Sequence, residues 1–505
     1  MTQRQIRLAF FGVLAAMALA ALDGTAVATA LPQMVGDLHG FDRVSWVVTA
    51  YLLASTVTIP LYGKLSDLYG RRNLFVVAIV VFVIGSVLCA ASQTMVELVV
   101  ARGIQGLGAG GLIPLAIATI GDLFSPRERG KIQGYTAGLF GITSVAGPLL
   151  GGLLTDHASW RWIFLINIPV GAIALGVVLV AMKIPRGSRE PRIDVAGSAA
   201  MIVASTCVLL ALVWGGNQYA WGSVEVLTLL AVGGVMCFVF VAAERRAPEP
   251  IIALGLFRNR VFTMAIASGS IIGAAMYVVT VYIPIYVQQV VGGSATGAGV
   301  VLIPYMLGWV GASMVVGRLV TRTGRYKIYP VVGSTVLTVG FVLLSQLGPD
   351  ASRLHTIAVM VVTGIGMGPL FQTYTVAVQN AVPSSEIGSS TAALQYIRSM
   401  GGALGLAAFA AVLTSRLGSE LAVRVPAGSV DARRLLEPRD AELRPAVAAG
   451  ARAALAAALD HVYLWCVPLM AFTIICALLL PELPLRTVAP HARVSEEPGG
   501  EPQVE

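Results

Sequence analysis

Apolar runs of about 20 residues alternate along this chain with short stretches rich in Lys, Arg, Gly and Pro. A helix of that length rises about 30 Å, the thickness of a bilayer's hydrocarbon core. The pattern predicts about fourteen spans, near 8–32, 44–62, 74–92, 98–120, 134–154, 163–182, 195–215, 224–243, 261–286, 297–319, 328–347, 354–376, 389–414 and 461–480. Backbone polar groups in lipid must be satisfied within the chain, so each span is expected to be helical. Arg4 and Arg7 ahead of the first run suit a cleaved leader, but the run continues to about Leu31, which favours a first span.

Composition supports this reading. The chain of 505 residues is 56% hydrophobic and 12% charged, with mean hydropathy +0.81. A soluble domain carries about 25% charged residues, so too few remain here to cover a wetted surface. The net charge of +8 does not imply nucleic acid, because the charges sit in the short loops. One set of loops and ends carries 22 Lys and Arg, against 3 in the opposite short segments. That asymmetry predicts an even number of spans with both termini cytoplasmic. The stretch 415–460 falls on the outer side and holds seven arginines, but long loops weigh little in this rule. Within it, the Ala-rich segment 446–459 is expected to be a short surface helix, and the polar tail 487–505 to be disordered in the cytoplasm. The five cysteines lie inside apolar runs without ligand spacing and read as packing residues. Arginine and alanine usage points to a GC-rich bacterial genome, and hence to an inner membrane.

The chain repeats itself. Tyr51, Gly63, Gly70 and Arg71 recur 254 residues later as Tyr305, Gly317, Gly324 and Arg325. Gly106, Gly108, Gly110, Leu112, Glu128 and Gly130 recur at an offset of 258 as Gly364, Gly366, Gly368, Leu370, Glu386 and Gly388. Two bundles of equal topology that rock about a midplane site are the architecture of alternating access. The expected organisation is an N-terminal six-helix bundle over 1–182, a two-helix insertion over 183–260 and a C-terminal bundle over 261–486.

Several residues carry chemistry. Asp23, in Leu22-Asp-Gly-Thr25, lies inside the first span, where a carboxylate is costly and suited to proton exchange; the alternative is a carboxyl that bonds a neighbouring helix or lies in a wetted vestibule. Arg102, in Arg102-Gly-Ile-Gln105, stays charged and needs a partner or water. It either biases proton release from a nearby acid or holds helices together through backbone carbonyls. The loop from Gly63 through Asp67 and Gly70 to Arg71 and Arg72 turns tightly between spans two and three. Asp67 is expected to cap a helix N-terminus, or to pair with Arg71 or with an arginine of the 127–131 loop, as a cytoplasmic latch. Thr321 replaces it in the second half, so the counterpart latch is weaker. Gly147, Pro148, Gly151 and Gly152 combine close packing with a kink in span five. Gln395 and Arg398 in span thirteen, with Thr25, are candidate cavity residues; Arg398 meets an anionic group of the substrate, meets Asp23, or is structural. Aromatics such as Tyr51, Tyr277, Tyr282 and Trp309 either line a cavity or anchor the interface. No Walker loop, His/Cys metal cluster or nucleophile–base constellation is legible, so no cofactor, metal or enzyme activity is expected and an ion gradient is the expected energy source.

These residues resemble the major facilitator superfamily, and within it the fourteen-span drug:proton antiporter branch. The 63–72 loop is similar to the superfamily's signature loop, Arg102–Gly110 to its span-four coupling motif, and Gly147–Gly152 to its span-five antiporter motif, with Thr143 where a glycine is usual. Asp23 in its Leu-Asp-x-Thr setting and Trp160-Arg-Trp-Ile-Phe164-Leu-Ile-Asn167-Ile-Pro169 resemble marks of the fourteen-span branch. The resemblance implies an all-α membrane fold of two six-helix bundles plus two central helices, and proton-coupled export of small amphipathic compounds, including antibiotics. Export of an endogenous product such as a self-made antibiotic, a siderophore or a lipid is the second reading, and a non-transporting sensor or scaffold a third. Protons, a small amphipathic molecule and the bilayer are the expected partners, and any periplasmic or lipoprotein partner stays unassigned.

Overall fold

The structure is a computed structural model that describes residues 3–38, 43–182, 194–216, 218–292, 295–425 and 445–485. The expected tail at 487–505 and the whole link at 183–193 lie outside the described residues. In chain order the helices are α1 Gln3–Leu38, α2 Val44–Tyr69, α3 Arg71–Ala91, α4 Met95–Leu123, α5 Pro126–His157, α6 Arg161–Leu165, α7 Asn167–Ala181, α8 Val195–Trp214, α9 Val224–Glu244, α10 Arg260–Ile285, α11 Ala295–Thr323, α12 Ile328–Leu344, α13 Arg353–Ala381, α14 Ile387–Arg424 and α15 Pro445–Leu479.

Thirteen of these segments are long and apolar enough to cross a membrane, with α6 and α7 counted as one segment, Arg161–Ala181. The helix α12 adds a seventeen-residue apolar segment. At 1.5 Å per residue it is about 26 Å long, near the lower limit for a span. With α12, the described residues hold fourteen apolar helical segments, the number of spans the hydropathy predicts. The sixth is broken at Ile166, because Pro169 has no N–H to offer the carbonyl of Leu165.

One expectation is corrected. The segment 446–459 is not a surface helix but the first part of α15. Ala454, Leu455, Ala458 and Leu459 are buried in the same hydrophobic cluster as Leu417 and Leu421 of α14. Alanine is the best helix former yet contributes little hydropathy, so the apolar windows start α15 sixteen residues late. They end α14 ten residues early because Ser415, Arg416, Ser419 and Glu420 interrupt the apolar run. The stretch 415–460 is therefore helical at both ends.

The two halves have separate cores. Two buried clusters contain only residues up to Met182, whereas a third is built almost wholly from α10 to α15. The repeat is visible in the packing. A side-chain carbon at Gly106 would lie 2.6 Å from the Tyr51 carbonyl oxygen, and one at Gly364 would collide with the carbonyl of Tyr305, the residue equivalent to Tyr51. The turns after α2 and α11 rest on Gly70 and Gly324, at φ +90° and +68°, where only glycine is unstrained.

Candidate functional site

Five polar side chains from four helices meet inside the N-terminal half. Asp23 comes from α1, Ser86 from α3, Arg102 and Gln105 from one face of α4, and Asn167 from the start of α7. Arg102 Nη1 donates to Asp23 Oδ2 at 2.6 Å and to Gln105 Oε1 at 2.6 Å. Gln105 Nε2 donates to Asp23 Oδ1 at 2.7 Å, and Asn167 Nδ2 to the same oxygen at 3.1 Å. Ser86 Oγ accepts from both amides, at 2.8 and 3.1 Å. Arg102 Nε donates to Val47 O at 3.2 Å, and its guanidinium stacks 4.0 Å from the Tyr51 ring centre. Asp23 is 1% exposed and Arg102 2%. Charges so far from water persist only when paired and hydrogen-bonded. Gly85 makes the site possible, since a side-chain carbon there would lie 2.6 Å from Gln105 Cβ.

The α5 motif packs against the same helix that bears Asp23. At Gly147 a side-chain carbon would lie 2.8 Å from Thr25 Cβ, and at Gly151 2.6 Å from the Ala26 carbonyl oxygen. Thr25 Oγ1 also reaches Thr143 O at 3.4 Å. Pro148 is exposed and Gly152 meets nothing. Thr25 is thus part of the α1–α5 seam rather than a free cavity residue.

At the far end of the bundle, Asp67 joins the two halves. Its carboxylate accepts from the Gly388 N–H at 3.1 Å and the Ser389 N–H at 2.7 Å, capping the N-terminus of α14. Arg71 holds Asp67 at 2.6 Å and Asp122 at 2.8 Å. Residues 127–131, expected to be a loop, form the start of α5, and their arginines serve elsewhere. Arg127 donates to the Thr321 and Arg322 carbonyls at the end of α11, at 2.7 and 3.0 Å, and Arg129 to the carbonyls of Phe124 and Gly121. Arg72 stays within its own half, on the Leu179 carbonyl at 2.9 Å. Repeated glycines set both crossings. A carbon on Gly63 would lie 2.9 Å from Gly388 O, and one on Gly130 would lie 2.6 Å from Gly317 O. Thr321, the counterpart of Asp67, caps nothing across the seam, and its hydroxyl bonds Gly317 O of its own helix at 2.8 Å.

A cavity of about 400 Å³ lies between the first half of α2, α8, α10 and α14. Thr49 and Leu52 of α2 face Tyr277 and Tyr282 of α10 and Ala403 of α14 across it. Gln395 and Arg398 do not line it. Arg398, 3% exposed, donates to Phe371 O at 2.9 Å and stacks 4.1 Å from the Phe371 ring. Asp23 has Arg102, not Arg398, as its ion-pair partner. Sequence reasoning missed Ser86, Asp122 and the α8 wall. Asp122 carried a signal, as an acid at the end of a span on the same side as Arg71. Ser86 carried none, because hydroxyls are ordinary inside spans.

Comparison with known proteins agrees with this architecture. The sequence profile of the Major Facilitator Superfamily matches residues 13–406. Multidrug resistance protein 3 of Bacillus subtilis is 36% identical over 443 residues, 87% of this chain and 86% of that protein. The multidrug transporter protein MdtP of the same organism is 38% identical over 410 residues, covering 81% and 76%. An uncharacterized MFS-type transporter of Mycobacterium tuberculosis, Rv1877, is 38% identical over 496 residues, covering 98% and 72%. Among solved structures, the proton:xylose symporter XylE superposes over 95% of this chain and 97% of its own, with TM-score 0.59 at 13% identity. The human organic anion transporter MFSD10 does so over 93% and 100%, with TM-score 0.62 at 14% identity. With its duplicated bundles and a match over most of its length, this multi-pass membrane protein belongs to the Major Facilitator Superfamily.

Proposed function

We propose that the chain exports small amphipathic compounds, several antibiotics among them, in exchange for protons, and that Asp23 carries the proton. The observation that carries this reading is the Asp23 carboxylate, buried at the junction of four helices and balanced by Arg102. Protonation cancels the charge that Arg102 balances. A buried guanidinium left without its counter-ion costs about 3–5 kcal/mol, so the network must rearrange or admit water. Because α1 is seated on α5 at Thr25–Gly147, such a rearrangement passes to the seam between helices. Both termini face the cytoplasm in this reading, so the Asp67 latch closes the cytoplasmic side and the cavity belongs to the outer half. Cargo is released outward, a proton is taken up by Asp23, and the proton is released inward once the latch opens. The names of the Bacillus relatives support drugs as cargo.

The test is drug-induced proton movement in everted membrane vesicles. Wild type is expected to release protons when substrate is added, and Asp23→Asn to insert normally while showing neither proton release nor gradient-driven uptake. Gradient-driven uptake at the wild-type rate in Asp23→Asn would remove Asp23 from the mechanism.

A further inference from the structure

The helices α8 and α9 have no counterpart in either repeat, and the reading of this chain as an exporter leaves them without a task. They pack on each other as a hairpin beside α2 and α14. The outer member, α9, turns most of its surface away from the protein, with Phe238 and Val224 each 77% exposed. The inner member is fixed to both halves at once. Its Trp214 ring stands edge-on to Trp46 of α2 at 5.8 Å, and its Ser205 hydroxyl lies 2.5 Å from the Tyr396 hydroxyl of α14.

Between these attachments α8 faces the cavity. Leu209, Leu212 and Val213 complete a lining otherwise supplied by α2, α10 and α14. No charged side chain lines the space. Its volume of about 400 Å³ is in the range of pockets that hold drug-sized molecules. An uncharged wall cannot recognise an ionic head group, but it does gain free energy from an aromatic or alkyl group removed from water. The face of α8 opposite Leu209 and Val213 packs on α9, where a side-chain carbon at Gly233 would lie 3.0 Å from Val208. Two turns nearer the start of α8, Ile202 and Val203 lie outside the lining, 37% and 39% exposed.

We propose that α8 is a wall of a binding site for the apolar portion of exported compounds, and that Leu209, Leu212 and Val213 set which compounds fit. The site spans the seam between α2 and the C-terminal bundle, so it changes shape when the halves move. Its wall is carried by a helix outside the repeat, which leaves its side chains free of the constraints that duplicated packing places on the bundles. This inference rests on the export reading, and the experiment separates the two.

The probe is a series of fluorescent compounds that share one head group and carry alkyl chains of increasing length, followed in everted vesicles with an imposed proton gradient. Leu212→Trp and Val213→Trp are expected to cut transport of the longest members about tenfold or more while sparing the shortest, the scale on which a hydrophobic pocket discriminates size. Leu212→Ala, which removes bulk without risk of a clash, is expected to shift the preference toward longer chains. Ile202→Trp, about 10 Å along α8 from Leu209 and outside the lining, is the control and is expected to match wild type across the series. If the three cavity variants match Ile202→Trp at every chain length, α8 is not part of the site. If wild type moves no member of the series, the export reading fails first.

Discussion

The strongest quantitative consequence concerns Asp67. Replacing it with alanine removes a cap from the N-terminus of α14, where two backbone N–H groups of one half are satisfied by a side chain of the other. Loss of an N-cap costs about 1 kcal/mol, and a partly buried charge at a helix terminus contributes up to about 2 kcal/mol. Arg71 does not become an orphan, because Asp122 still holds it at 2.8 Å. The closed state of this end should therefore lose about 2–3 kcal/mol, or roughly 30- to 150-fold in the ratio of closed to open molecules. Ala392 reports on that ratio, since it is fully buried where α14 crosses Gly63. In protein with the five native cysteines replaced, Ala392→Cys should react with an impermeant maleimide at a rate set by the open fraction. Adding Asp67→Ala should raise that rate by one to two orders of magnitude in everted vesicles. Thr321→Val should leave it unchanged, because the Thr321 hydroxyl bonds only its own helix. A rate in Asp67→Ala equal to that of the parent, in protein that has inserted normally, would refute the latch.

Three other outcomes are expected. Arg102→Lys should lose gradient-driven transport nearly as fully as Asp23→Asn, because a single ammonium cannot serve Asp23, Gln105 and Val47 O while stacking on Tyr51; transport assays with matched protein amounts check this. Gly317→Val should slow transport by holding α11 away from α5, since a side chain there overlaps the Gly130 carbonyl, and cross-linking between α5 and α11 should fall with it. Arg398→Gln should change the export of a carboxylic acid and of its methyl ester alike, because the guanidinium is engaged by Phe371; a selective loss of the acid would instead assign Arg398 to the substrate.

The sequence by itself determined the number of spans, the duplication and the kinds of residue that matter. Lipid makes this legible: a span needs about 20 apolar residues, and an ionisable group among them is too costly to be incidental. Asp23 and Arg102 stood out for that reason, and the paired offsets marked Gly63, Gly130, Gly317 and Gly388 before their crossings were visible. Only the tertiary structure decided that Asp23 belongs to Arg102 rather than Arg398, that Asp67 reaches 321 residues along the chain to Gly388, and that a helix outside the repeat walls the cavity. Such partners are set by which helices touch and how they are rotated, and neither hydropathy nor local spacing encodes that. The long α14–α15 pair shows the same limit at close range: alanine adds little to a hydropathy window, yet Ala454 and Ala458 let two helices pack tightly once a neighbour exists to receive them.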